Sequence, residues 1–166
     1  MPADRPSRSL EVRVRPCEPR DLLALQAILA DSPEAAYWSL QAVEDVLRQS
    51  WVSAYVSERG GEVTGFIVGR RVMNEGEILN LAVGLRKRRM GDGHALVGEL
   101  LKEFERFRIA RVFLEVREFN AGAIRFYGSL GFIQVGRRDG YYREPTEAAL
   151  IFEKKMEIHN EVPNTS

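Results

Sequence analysis

Apolar positions along this chain recur at two periods, and the points where the period changes mark its elements. Leu22, Leu25, Ile28 and Leu29 fall on one helical face after Pro19-Arg20-Asp21, an opening in which proline suits the first turn. Ser39 is an N-cap candidate, with Trp38 before it and Val43 four positions after it placed as a hydrophobic staple, for a helix reaching about Arg48. Leu96, Val97, Leu100, Leu101, Phe104 and Phe107 form a third helical stripe, with Glu99, Lys102, Glu103, Glu105 and Arg106 largely on the other side. Asn120 is the expected N-cap of a fourth helix over 121–130, which Gly131 closes at C′. Short apolar runs at 12–15, 52–57, 63–70, 78–83, 112–116 and 149–156 read as strands. Arg59-Gly60-Gly61 is a hairpin signal, and Asn74-Glu75-Gly76 is expected to turn the chain into the strand at 78–83. Early hairpins followed by strand-helix-strand crossovers define an α/β (α+β) chain.

Composition narrows the class. Lys plus Arg equals Asp plus Glu at 24 each among 166 residues, so no basic excess points to nucleic acid. A chain of this length fits one domain with one substantial core, here expected over 11–156, flanked by a loose arm at 1–10 and a polar tail at 157–166. No run of 18 uncharged apolar residues is present, and the first ten residues are polar rather than an apolar signal core, so a cytoplasmic protein with no membrane partner is expected. Cys17 is the one cysteine, which rules out an internal disulfide and a cysteine-rich metal site. Without a neighbouring histidine it reads as an inert thiol rather than a nucleophile.

Candidate chemistry concentrates at Arg88-Arg89-Met90-Gly91-Asp92-Gly93-His94-Ala95, between the strand at 78–83 and the third helix. A helix start offers unpaired N–H groups and the positive end of the macrodipole, and glycines let a ligand approach the backbone, so an anion such as a pyrophosphate fits there. His94 and Ala95 stand where a nucleotide-hydrolysing loop needs Lys and Ser/Thr, and Leu96 stands where a dinucleotide fingerprint needs a third small residue. What remains is R-x-x-G-x-G. Of the cations at 86–89, Arg88 and Arg89 are the expected phosphate contacts. Asp92 would repel a phosphate, so its carboxylate is expected to turn to solvent while its N–H faces the ligand. His94 reads as a surface residue at the helix start, and neither histidine has metal-ligand spacing. No metal is implied.

Three stretches in fixed order then carry a family resemblance: Ile78-Leu79-Asn80-Leu81-Ala82-Val83; Arg88-x-x-Gly91-x-Gly93; and Leu114-Glu115-Val116-Arg117 followed by Asn120-Ala121-Gly122-Ala123-Ile124-Arg125-Phe126-Tyr127-Gly128-Ser129-Leu130-Gly131-Phe132. The chain resembles the GNAT superfamily of acetyl-CoA-dependent N-acetyltransferases. It is most similar to the RimI-type ribosomal-protein-alanine N-acetyltransferases, through Leu114-Glu115-Val116-Arg117, Val135-Gly136-Arg137-Arg138, Tyr141-Tyr142 and Pro145-Thr146-Glu147-Ala148-Ala149-Leu150. The resemblance implies a mixed, mostly antiparallel central sheet with helices on both faces and a splayed parallel strand pair.

It also implies roles. Glu115 would be the base and Tyr127 the acid that protonates the coenzyme A sulfur. Leu81, Ala82 and Val83, with Arg88, Arg89, Met90, Gly91, Asp92, Gly93, His94, Ala95, Asn120 and Tyr127, would contact acetyl-CoA. Trp38, Tyr141 and Tyr142 are either packing residues or walls of the acceptor pocket. The acceptor would be a protein N-terminus, with that of a ribosomal protein as a candidate, attacked directly without an acyl-enzyme. A small amine or a lysine side chain is the alternative acceptor. A non-catalytic acyl-CoA-binding sensor is the alternative of another class, and it would have no need of Glu115 and Tyr127.

Overall fold

The computed structural model describes residues 11–158, so the expected arm at 1–10 and most of the tail lie outside the described residues. The chain runs β1 (Arg13–Pro16), α1 (Leu22–Ala30, entered through a 3-10 turn at Pro19–Asp21), α2 (Leu40–Leu47), β2 (Val52–Arg59), β3 (Glu62–Val72), β4 (Glu75–Val83), α3 (Asp92–Arg106), β5 (Arg111–Arg117), α4 (Ala121–Ser129), β6 (Ile133–Arg143) and β7 (Thr146–Lys155). One seven-stranded sheet results, in the order β1-β2-β3-β4-β5-β7-β6. Every neighbouring pair is antiparallel except β4 and β5.

Local chemistry accounts for the joints. Gly60 and Gly61 form a two-residue hairpin loop with φ of 58° and 83°, the positive values a primed turn needs. The Ser39 side chain accepts from Ala42 N–H and the Asn120 side chain from Ala123 N–H, so both expected N-caps form. Gly131, at φ 87°, follows the last turn of α4.

Two expectations need correction. The turn before β4 is Met73-Asn74, with Val72 already paired to Glu75, so Glu75 and Gly76 belong to the strand. Gly76 is needed for packing: a Cβ there would lie 2.6 Å from the Phe104 ring. β6, which no apolar run announced, is a sheet edge exposed along nearly its whole length, so it has no buried face to imprint an alternating pattern.

Two apolar layers cover the sheet. On one face Leu96, Val97, Leu100 and Phe104 of α3 pack with Ile78, Val112, Leu114, Val116 and Tyr127. On the other, Leu25 and Ile28 of α1 and Val43 of α2 pack with Val56, Phe66, Val68 and Ala82, and Trp38 lies against this second layer. The staple residues Trp38 and Val43 thus meet in one cluster.

The parallel pair is short. Only Glu75, Gly76 and Glu77 of β4 face Arg111, Val112 and Phe113 of β5, although β4 continues to Val83 and β5 to Arg117. Across β4 and β3, Asn80 pairs with Val68 and Ile78 with Gly69, leaving Leu79 as a bulged extra residue. A bulge bends and twists its strand, and beyond it β4 parts from β5.

Candidate active site

The parting strands expose backbone on the β4 side. Gly84 N–H donates to the Thr64 carbonyl at 2.8 Å, so Gly84 faces β3. Alternation then turns the N–H and C=O groups of Leu81 and Val83 away from β3 and into the opening, while those of Ala82 face β3. The Val83 carbonyl is consistent with this, since it accepts from Arg88 Nε at 3.0 Å.

At the mouth of the opening, Gly91 caps α3 in the left-handed region at φ 96° with no heavy atom within 4 Å of where a Cβ would lie. The first intrahelical bond runs from Ala95 N–H to the Gly91 carbonyl at 3.0 Å, so the N–H groups of Asp92, Gly93 and His94 precede it at the positive end of the helix. His94 is exposed and stacks edge-on with Phe126, ring centroids 4.9 Å apart. Met90 is exposed, and Arg89 is exposed with φ 61°.

Asp92 corrects an expectation. Its carboxylate is buried, 1% exposed, and turned inward rather than to solvent. Its Oδ1 accepts from Arg59 Nε at 2.9 Å and Nη2 at 2.7 Å, and its Oδ2 accepts from Thr64 Oγ1. The negative charge is therefore matched from inside the protein. Arg88 also differs from a free phosphate contact: besides Val83 it donates to Ser32 Oγ at 3.2 Å and pairs with Glu34, tying the loop to the segment between α1 and α2.

Alternation along β5 separates its side chains. Val112, Leu114 and Val116 are buried under α3, whereas Phe113, Glu115 and Arg117 face the side of α1 and α2. Glu115 lines a groove of about 390 Å³ together with Arg70, Glu75, Glu77, Phe113, Arg138 and Ile151. Arg138 Nη1 lies 3.4 Å from Glu115 Oε1. The charge of Glu115 raises the Tyr141 phenol above its ordinary value. Tyr142 is raised first by burial and then by Glu115. The Arg117 guanidinium sits 3.9 Å from the centre of the Tyr142 ring. Tyr141 and Tyr142 themselves meet edge-on at 5.1 Å. Trp38 is not part of this group and, among the described residues, makes no ring contact with either tyrosine.

Tyr127 belongs to the opposite layer, the one against which Leu81 and Val83 also pack. Its ring meets Phe126 at 5.1 Å and Phe132 at 5.6 Å, both edge-on. Burial pushes its phenol upward, so it stays protonated. The gap between β4 and β5 thus interrupts the pairing of the sheet, with the Glu115 carboxylate on one face and the neutral Tyr127 phenol in the layer on the other. The α3 N-terminus and the Leu81 and Val83 amides suit a ligand with an anionic end and an acyl-amide arm.

Residues 20–132 match the Acetyltransferase (GNAT) family. The chain belongs to that family. Among curated relatives of this GNAT chain, the [Ribosomal protein bS18]-alanine N-acetyltransferase of Escherichia coli K12 is 38% identical over 84 residues, covering 51% of this chain and 57% of that protein. The matched segment thus spans little more than half of that relative's length. The N-alpha-acetyltransferase of Sulfurisphaera tokodaii is 31% identical over 118 residues, covering 63% and 71%. Among solved structures, the Escherichia coli ribosomal-protein-S18-alanine N-acetyltransferase superposes with a TM-score of 0.79 at 29% identity, over 94% of this chain and 99% of that one. Ard1 from Thermoplasma volcanium superposes with a TM-score of 0.81 at 31% identity, over 88% and 98%. No helix among the described residues of the GNAT chain is long and apolar enough to cross a membrane.

Arg138, Arg59 and Thr64 were not visible as site residues in the sequence. Each acts through a partner 23 to 33 positions away, Glu115 or Asp92, and no local spacing marks such a pair.

Proposed function

We propose that this protein acts in the cytoplasm as an acetyl-CoA-dependent N-acetyltransferase whose acceptor is the α-amine of a protein N-terminus. The single observation that carries the reading is the break in pairing between β4 and β5, with Glu115 on one face of the sheet and Tyr127 in the layer on the other. A nucleophile and a thioester can approach each other only if both reach one point, and that opening is the place where the sheet permits it. The cofactor would supply the activated acetyl thioester. Its phosphates suit the amides at the start of α3 with Arg89, its amide arm suits Leu81 and Val83, and Asn120 fixes the start of the neighbouring helix. Glu115 takes the proton of the attacking amine, directly or through water. The new C–N bond forms as the C–S bond breaks, and Tyr127 gives its proton to the departing sulfur. Leu81 and Val83 amides oppose the charge that develops on the carbonyl oxygen.

The acceptor class follows from proton affinity. An α-amine near pKa 8 needs only a carboxylate to lose its proton, whereas a lysine near 10.4 needs more help than the one base assigned here. Tyr141 and Tyr142 beside Glu115 are suited to wall the acceptor's first residue, and a ribosomal protein is a candidate because the Escherichia coli relative named above is a ribosomal-protein-alanine N-acetyltransferase. Matched peptides beginning with Ala, with free or blocked N-termini, are incubated with acetyl-CoA and the acetyl group is located by mass spectrometry. Acetylation of the free N-terminus is expected, and acetylation confined to lysine or to small polyamines would overturn the acceptor assignment.

A further inference from the structure

Beside Glu115, on the face of the sheet where the acceptor is expected, side chains from three strands are joined. Arg117 lies two positions after Glu115 on β5, and alternation puts both on that face. Arg117 pairs across the ladder with Ala149 of β7, and Glu147, two positions before Ala149, pairs with Tyr142 of β6, so Glu147 and Tyr142 share the face too. Glu147 is 6% exposed, a burial that a carboxylate tolerates only when it is paired. Its Oε2 accepts from Arg117 Nη1 at 3.1 Å and its Oε1 from the Phe119 backbone N–H at 3.0 Å. The guanidinium held in this way lies 3.9 Å from the centre of the Tyr142 ring. Tyr142 stands on the outermost strand, past the irregularity in register between Arg138 and Tyr142, where strand pairing alone does little to fix a ring. Among the described residues its ring meets this guanidinium and the edge of Tyr141, which is itself half exposed.

We propose, on the N-terminal acceptor reading above, that Glu147 and Arg117 are positioning residues for the acceptor: Glu147 aims the Arg117 guanidinium, the guanidinium sets the Tyr142 ring, and the ring limits the size of the residue that carries the reacting amine. A planar guanidinium can hold a carboxylate by its edge and an aromatic ring by its face at once, whereas a lysine ammonium keeps the charge and loses that geometry. Glutamine at 147 keeps the volume but turns its NH2 group toward either Arg117 or the Phe119 N–H, each of which is a donor. A brace of the fold would act on both substrates alike. A wall for the first residue acts on the acceptor alone.

Initial rates are measured with peptides that begin with Ala or Leu and are otherwise identical, for the wild type, Glu147→Gln, Arg117→Lys, Tyr142→Leu and Arg117→Lys/Tyr142→Leu, with melting curves to confirm folding. The wild type should favour the Ala peptide in kcat/KM. Arg117→Lys should cut that preference by roughly three- to tenfold, the scale of one cation–π contact expressed as a ratio, through the KM values of the peptides and with the KM for acetyl-CoA unchanged. Glu147→Gln should act in the same direction. In the Tyr142→Leu background Arg117→Lys should add little, because it works through that ring. A preference absent from the wild type or unchanged in Arg117→Lys, a KM for acetyl-CoA that rises in step with that of the peptide, or additive losses in the double variant would overturn the proposal. Should Glu147→Gln fail to fold, Arg117→Lys, which leaves the Glu147 bond to Phe119 in place, decides alone. Acetylation of no free peptide N-terminus by the wild type would instead remove the acceptor reading, and this proposal with it.

Discussion

Tyr127→Phe separates chemistry from stability more cleanly than any other single change at this site. The ring is buried, 7% exposed, and makes edge contacts to Phe126 at 5.1 Å and Phe132 at 5.6 Å, all of which phenylalanine keeps. The hydroxyl makes no hydrogen bond to another described residue, so its removal breaks none among them. The expected change in stability is therefore small, within about 1 kcal/mol and as readily a gain as a loss. If the phenol delivers the proton to the leaving sulfur, turnover should fall by roughly 10²- to 10⁴-fold, equivalent to about 2.7 to 5.4 kcal/mol of barrier. Thermal melting and release of free coenzyme A thiol, followed on one preparation, give both quantities. Because burial holds the phenol above its ordinary value, the wild-type rate should show no loss from Tyr127 ionisation up to pH 10. A variant melting like wild type and retaining more than a tenth of its turnover would refute the assignment.

Glu115→Gln should lower kcat by roughly 10²- to 10⁴-fold with little change in coenzyme A affinity, as expected of a positioned base; wild-type turnover across the pH range would refute that role. Arg89→Glu should weaken acetyl-CoA binding by roughly tenfold or more in calorimetry while the protein melts normally, since the residue is exposed and its side chain has no hydrogen bond or ion pair to break among the described residues. Arg88→Glu should in addition lower the melting temperature, because it removes the ties to Val83, Ser32 and Glu34. Tyr55 is pushed up to about 12, first by burial and then by its bond to Glu103. Its folded value exceeds the unfolded one near 10, so its share of stability is full below pH 10 and is lost as pH rises toward 12. Melting temperature should fall over that window, and less steeply in Tyr55→Phe.

Much of this arrangement was legible in the residues because it is local. Caps, helical stripes and the Gly-Gly hairpin depend on neighbours a few positions apart, so Ser39, Asn120 and Gly60-Gly61 announced their elements. What escaped was set by distant partners or by missing burial. β6 carries Arg138 to Glu115, yet as an exposed edge it has no buried face to impose a period. Asp92 was expected to face solvent because a carboxylate beside a phosphate loop repels its ligand. The guanidinium that reverses that logic comes from Arg59, 33 residues earlier, with nothing in the intervening sequence to signal the pairing.

A single backbone irregularity links fold and site. Before the bulge at Leu79, Gly76 and Ile78 face α3; after it, Leu81 and Val83 take that face, and Asn80 and Ala82 turn to the opposite layer, where Asn80 Nδ2 bonds the Ala36 carbonyl at 3.0 Å. The extra residue therefore shifts the alternation while the bend carries β4 away from β5. Without the shift, the apolar side chains of Leu81 and Val83 would leave the α3 layer. Without the bend, ladder bonds to β5 would consume the amides of Leu81 and Val83, and Glu115 and Tyr127 would be sealed on opposite sides of a continuous sheet. The parallel contact that persists, Glu75 to Glu77 against Arg111 to Phe113, lies at the closed end and fixes where the gap begins. Reactants entering from the two faces would then meet at the open end, beside the start of α3.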